Sequence, residues 1–282
     1  MFSLLRQHAK MRLRSIPSAF RRQFATQLPK MPSRFFQSNL SKKGLSSKIP
    51  FRRSYSSRRA PAYDVPMMQK NNTIVWAFIG VNTAVHAYSY YVYAAAAQGQ
   101  HAVVANFFEN MTTSLQSVRD EGRWWTIATC CITQVSFIHY LGNMFGFYVM
   151  GKFVGWTPGV TPAAFLTLVI GSGLAGTALA LVEKSYSDQE DAEKKRFLGF
   201  SGVVTGVGTA AACIYPRSKV LIYGIVPVPL WLLTAGFLAY DGYYLNKGNT
   251  GVAHAGHLGG FVYGLMFYAL RLRGLPPNPR IM

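Results

Sequence analysis

Ser201, in Gly199-Phe200-Ser201-Gly202, and His257, in His257-Leu258-Gly259-Gly260-Phe261-Val262-Tyr263-Gly264, stand in separate apolar segments of the chain. Polar side chains at bilayer depth are costly, so two that can meet there point to function. A hydroxyl beside an imidazole is the pairing of nucleophilic catalysis, because the ring removes the proton that keeps serine a weak nucleophile. His139 and Asn143 lie four residues apart in another apolar stretch, on one face of a helix. Two donors aimed the same way suit the oxyanion of an acyl-transfer intermediate. Ser201 is expected to open its helix, which leaves its own backbone N–H free to join them.

Apolar segments must position these residues. Uncharged stretches recur at 73–97, 124–151, 162–182, 197–215, 220–240 and 252–270. A helix of about 20 residues crosses roughly 30 Å of hydrocarbon, and most of the stretches suffice. The second is too long for one span, so 124–135, with Trp124 and Trp125, is expected at the interface that tryptophan favours. The pattern predicts an all-α membrane protein, a six-transmembrane-helix bundle over 66–282. In the fourth segment Lys194, Lys195 and Arg196 stay near water, and four extended residues, 197–200, descend about 13 Å. Ser201 then lies below the surface, facing a wet cavity on the side of the third loop, because non-helical backbone is tolerated at that depth only when it lines a cavity. Gly202 and Gly206 form one small-residue stripe and Gly256, Gly260 and Gly264 another. Such stripes let membrane helices approach closely and bring the hydroxyl to the imidazole. The plainer alternative is glycine packing with the serine bonded to a backbone carbonyl.

The bulk composition divides the chain. Of 282 residues, half are hydrophobic and 14% charged, yet the formal net charge is +19. Residues 1–65 hold 15 of the 29 Lys and Arg and one acid, Asp64. The rest carries a net charge of only +5, with no basic stripe and interleaved aromatics, so nucleic acid is not an expected partner. Residues 1–60 are rich in Arg, Ser, Phe and Leu and contain no acid, the composition of a mitochondrial transit peptide. A disordered basic arm on an anionic membrane is the alternative. Arg22-Gln23-Phe24-Ala25 and Arg53-Ser54-Tyr55-Ser56 resemble matrix processing sites. The expected organisation is therefore a transit peptide and disordered tail over 1–65 and a membrane domain over 66–282. Lys and Arg are balanced between the two sets of loops, so charge alone sets no orientation. Cys130, Cys131 and Cys213 lack metal-ligand spacing or a disulfide pattern, and no cofactor or metal is expected. His254 is a rival base three residues before His257, better suited to a pore-lining or capping role. Asp241, beside Tyr240 and near Tyr243, could serve as a triad acid, but it lies at a segment end and is expected instead at the interface. His86 has no partner visible in the sequence.

Taken in order, these motifs resemble the rhomboid intramembrane serine proteases, and closely their mitochondrial inner-membrane, presenilin-associated branch. The resemblance spans residues 122–270. It rests on Arg123-Trp124-Trp125-Thr126, His139-x-x-x-Asn143, Gly199-x-Ser201-Gly202 and His257-x-x-Gly260-x-x-x-Gly264, with Val226-Pro227-Val228-Pro229 and Trp231 beside them. It implies a Ser201–His257 dyad without a third acid, an oxyanion hole of His139, Asn143 and the Ser201 amide, and a first loop stabilised by Arg123. It implies transmembrane protein substrates, among them dynamin-like GTPases and imported precursors, and the lipid bilayer as surroundings. Two residues depart from the pattern. Thr205 replaces an aromatic that packs on the histidine ring in many members, and Phe200 puts bulk beside the cavity; both are expected to affect substrate fit. Nothing apolar enough for the seventh helix of many mitochondrial members precedes residue 73. A catalytically inactive rhomboid-like scaffold that binds transmembrane helices is the alternative, and a small transporter a more distant one.

Overall fold

The computed structural model describes residues 64–187, 191–222, 224–245, 247 and 251–281. The expected transit peptide and both processing-site sequences lie outside the described residues. What is described is mostly helical. Helix α1 spans Val65–Ala97, α2 His101–Met111, α3 Leu115–Arg119, α4 Thr126–Thr129, α5 Phe137–Gly155, α6 Pro162–Ser185, α7 Ser201–Ile214, α8 Leu230–Tyr244 and α9 His254–Phe267. Strands β1 (Lys219–Ile222) and β2 (Val226–Pro229) form an antiparallel hairpin between α7 and α8.

Local chemistry sets the helix starts. Asp64 accepts a hydrogen bond from the Met67 N–H at 3.0 Å, with proline in the first turn of α1. Thr161 does the same for Ala164 at 3.2 Å ahead of Pro162 in α6. Side-chain caps and early prolines satisfy or remove N–H groups that lack an intrahelical partner. The cap at Asp64 explains why α1 begins before the apolar stretch at residue 73. The stretch 124–151 divides as its length predicts: α4 and a 3₁₀ turn at Cys130–Ile132 precede α5.

The fifth stretch departs from expectation. Residues 220–240 read as one apolar run, but its first half is the β-hairpin. Pro227 and Pro229 lack the N–H a helix interior needs, and Gly224 takes a φ of 71° at the turn. Helix α8 consequently runs from 230 to 244, and Asp241 falls inside it.

Six helices among the described residues, α1 and α5 to α9, have 14 residues or more. By length and composition α6 alone among the described residues is long and apolar enough to cross a membrane; α7 is apolar but shorter. With 14 and 15 residues, α7 and α8 fall short of the ~20 of a full crossing, whereas α9 is continued by a π-helical turn at Tyr268–Leu272. The helices α6, α7 and α9 pack most closely on one another. The core around them includes Phe147, Leu168, Phe200 and Val207, all fully buried.

Glycine makes that packing possible. A Cβ on Gly260 would overlap the Gly202 carbonyl oxygen, and one on Gly264 the Gly206 carbonyl. A Cβ on Gly176 of α6 would lie 2.6 Å from the Gly256 oxygen. The two glycine stripes therefore meet backbone to backbone, with α6 against both.

Candidate active site

The start of α7 is set by the segment leading into it. The Phe197 N–H donates to the Thr113 oxygen at 2.8 Å, and the Thr113 N–H donates back at 3.1 Å. The loop after α6 is thus fixed to the segment after α2. Arg196 adds a bond to the Phe108 carbonyl at 3.1 Å, and Arg119 pairs with Asp120 and Glu193 at 2.7 and 2.8 Å. Beside Arg119 the Asp120 carboxyl is held below the ordinary carboxylate range. Arg123 pairs with Glu121 and Glu109 and stabilises the first loop, the role expected for it. Gly199 donates to the Cys130 carbonyl at 2.9 Å and has a φ of 141°, a conformation that favours glycine. It turns the chain so that Ser201 is the first residue of α7, where an N–H has no intrahelical acceptor.

Ser201 Oγ lies 2.7 Å from His257 Nε2. His257 sits in the first turn of α9, so the close contact of α7 and α9 is what sets this distance. His257 Nδ1 lies 2.9 Å from Asp241 Oδ1, and His254 Nδ1 lies 2.7 Å from the same oxygen. A carboxylate only accepts, so both Nδ1 atoms donate to it. In the neutral ring His257 Nε2 is then the acceptor nitrogen, toward which the Ser201 hydroxyl donates.

Asp241 corrects the expectation of an acid standing apart at a segment end. It is 2% exposed and bonded to two histidines, because α8 runs past it to Tyr244 and turns it toward α9. An acid therefore stands behind His257, where the resemblance implies none. His254 is neither pore-lining nor a rival base: it is buried, bonded to Asp241 and stacked near Tyr244.

Phe200 also corrects its expectation. It is fully buried, with its ring 4.9 Å from Phe147 and 6.1 Å from Phe78, so its bulk fills the core and not the cavity. Thr205 does not touch the imidazole by an aromatic face. Its hydroxyl lies 3.1 Å from the His257 carbonyl oxygen and 3.0 Å from that of Gly202, which couples the backbones of α7 and α9 beside the Ser–His contact.

The expected oxyanion donors are placed differently from each other. His139 lies beside the serine: a Cβ on Gly199 would be 3.5 Å from both His139 Cε1 and Ser201 Oγ. Asn143 is buried one turn along α5 and gives an N–H to Gln134 Oε1. Sequence reasoning missed Gln134, which sits in the part of the second stretch assigned to the interface. His86 finds its partner there too, with Nδ1 2.6 Å from the Gln134 carbonyl oxygen and its ring stacked on Tyr140.

A cavity of about 30 Å³ reaches Ser201 and is lined by Phe197, Leu198, Gly199, Cys130 and Thr177, among others. Its wall is the extended residues 197–199 ahead of Ser201 together with glycines of α6, α7 and α9, and it has room for about two waters. Asp241, His254 and His257 are the set of ligand atoms close enough to hold a metal among the described residues. Their 2.7 and 2.9 Å separations are those of N–H···O bonds. Donors about 2.0–2.1 Å from a tetrahedral zinc lie farther apart, at about 3.3 Å. Hydrogen bonding therefore accounts for the cluster.

A family model described as the Rhomboid domain matches residues 121–274, more than half of the chain. A curated protein named RHOMBOID-like protein 12, mitochondrial, from Arabidopsis thaliana is 25% identical over 175 residues, which cover 58% of this chain and 51% of that protein. The chain thus spans about half the length of that relative.

Proposed function

The chain belongs to the rhomboid family, and from that membership we propose that it is an intramembrane serine endopeptidase. The observation that carries the reading is the 2.7 Å contact between Ser201 Oγ and His257 Nε2, with Asp241 behind the ring. Ser201 attacks the scissile carbonyl as His257 Nε2 takes its proton. The C–O bond forms and negative charge moves to the carbonyl oxygen. The Ser201 N–H, His139 and Asn143 receive that charge. The imidazolium then protonates the leaving amine as the C–N bond breaks, and water releases the acyl-enzyme by the same steps. Asp241 holds Nδ1–H toward itself throughout, which keeps Nε2 the basic nitrogen.

Helices α1 and α5 to α9 are proposed to cross the bilayer. Support comes from the large apolar side chains they expose, including Trp76, Ile138, Phe145, Phe237 and Val262; apolar surface of that extent belongs against lipid. The basic tail and the mitochondrial relative support a multi-pass protein of the mitochondrial inner membrane. Its substrates are proposed to be single-span membrane proteins with a locally unstable helix, with dynamin-like GTPases and imported precursors as candidates.

The test is cleavage of a model single-span substrate in liposomes, together with labelling by a fluorophosphonate. Ser201→Ala and His257→Ala are expected to lower cleavage by about 10³-fold or more and to abolish labelling. Undiminished cleavage by Ser201→Ala would refute the protease reading. A folded wild-type protein that neither cleaves nor labels would favour the scaffold.

A further inference from the structure

Asn143 is one member of a buried chain of side-chain amides that begins on α1, the helix packed beside α5. Asn82 of α1 gives Nδ2–H to the Phe78 carbonyl oxygen at 2.9 Å. Gln134 gives Nε2–H to Asn82 Oδ1 at 3.1 Å, and its Oε1 accepts from Asn143 Nδ2. Asn82 and Gln134 are fully buried and Asn143 is 7% exposed. Gln134 is also held at its backbone, where its carbonyl oxygen accepts from His86 Nδ1–H.

The polarity of this chain follows from its first link. A backbone carbonyl can only accept, so Asn82 must turn its NH₂ end to Phe78 and its oxygen to Gln134. Gln134 must then present its NH₂ to Asn82 and its oxygen to Asn143. Asn143 must therefore present its NH₂ end to Gln134. Reversing any one amide sets oxygen against oxygen or N–H against N–H, which is costly in a buried network.

We infer that Gln134 is a positioning residue for the oxyanion site: the relay from the Phe78 carbonyl fixes the rotamer and amide sense of Asn143. One N–H of Asn143 is committed to Gln134, and the second is held in a fixed direction from the same nitrogen. Without the relay the amide is free to turn its oxygen toward the developing oxyanion, where it repels. This rests on the protease reading and deepens it, because an oxyanion donor matters only if acyl transfer takes place.

The experiment is a double-mutant cycle between Gln134 and Asn143. Gln134→Met keeps the volume and removes both relay bonds. Expected is a fall in kcat of about 10- to 30-fold with KM changed less than about twofold, a fraction of the ~10²–10³ of a lost oxyanion donor. In the Asn143→Ala background the same change is expected to have no further effect, because a residue that acts through another is not additive with it. An equal loss in both backgrounds would overturn the inference, as would wild-type kcat in folded Gln134→Met. Should that variant fail to fold, Asn82→Leu removes the anchor instead, and a smaller, equally Asn143-dependent loss is expected. A measurement independent of turnover separates this inference from the protease reading. Hydrogen exchange of the Asn143 side-chain amide is expected to accelerate about tenfold or more in Gln134→Met. Unchanged exchange refutes the relay whether or not the protein cleaves; accelerated exchange in a protein without Ser201-dependent cleavage refutes only the protease reading.

Discussion

Replacing Asp241 by Asn probes the acid behind His257 with almost no change of shape. In the wild-type site the carboxylate faces a ring that becomes cationic when Ser201 gives up its proton, with Oδ1 2.9 Å from Nδ1. Charge centres about 4 Å apart attract by about 4 kcal/mol at an effective dielectric near 20, and by about 1 kcal/mol in bulk water. Asp241 is 2% exposed and the His257 side chain 18%, so the higher figure is the nearer guide. His254 binds the same oxygen and disperses part of the carboxylate charge, which trims the effect. Removing the charge is therefore expected to lower kcat by about 10²–10³-fold, at about 1.4 kcal/mol per factor of ten. If the Asn turns its NH₂ toward the rings, His257 is driven to the tautomer that carries the proton on Nε2 and the loss is larger still. The assay is the rate and endpoint of fluorophosphonate labelling, with kcat and KM for a single-span substrate. Slow labelling that still reaches one label per molecule marks a mis-set base, whereas a reduced endpoint marks lost fold. A folded Asp241→Asn protein within about fivefold of wild-type kcat would refute the low-dielectric reasoning and leave Asp241 a structural anchor.

Two further substitutions test how the site is held. Gly260→Ala would bring a Cβ into the Gly202 carbonyl oxygen and within 2.6 Å of Thr205 Oγ1, so α7 and α9 must separate; cleavage is expected to fall more than about 10²-fold with about 1–3 kcal/mol of stability lost. Gly208→Ala, whose Cβ would meet Met150 at 3.7 Å, is the matched control and is expected to keep activity and melting temperature. Thr205→Val preserves shape but removes the hydroxyl near the His257 carbonyl oxygen; about 1 kcal/mol of stability and about three- to tenfold of kcat are expected to go, read by thermal melting and steady-state cleavage.

Much of the Ser–His contact was legible because it depends on backbone spacing. Glycines at 202 and 206 and at 256, 260 and 264 leave helices no closer partner than each other, and Lys194–Arg196 limits how far the following residues reach before α7 begins. What the sequence hid lies one layer behind. Asp241 was misplaced for a traceable reason: its own charge closed the uncharged run at 240, although the helix continues to Tyr244. Two prolines in the same run were the signal that the helix starts only after the hairpin of 219–229. Gln134 was hidden by the same kind of boundary, since 124–135 read as interfacial tryptophan-flanked chain. Polar residues that support a site from behind carry no periodicity of their own, and only the tertiary path of a non-helical segment brings them in.

The placement of Asp241 also links catalysis to the seating of a helix. Within α8 the buried residues are Leu230, at its first position, and Asp241, near its last turn; most of the rest of the helix presents apolar side chains outward. Nonspecific apolar contact holds such a helix weakly in lipid, because hydrocarbon tails solvate leucine as well as a neighbouring helix does. The two histidine N–H bonds to Asp241 are therefore both the support of the base and the principal buried polar attachment of the end of α8. His254→Phe separates the two functions, since it removes one attachment and leaves the His257 bond in place. If seating is what matters, His254→Phe should reduce activity nearly as far as Asp241→Asn. If the charge behind His257 matters, His254→Phe should retain most of it, and the low-dielectric estimate for Asp241 requires that second outcome.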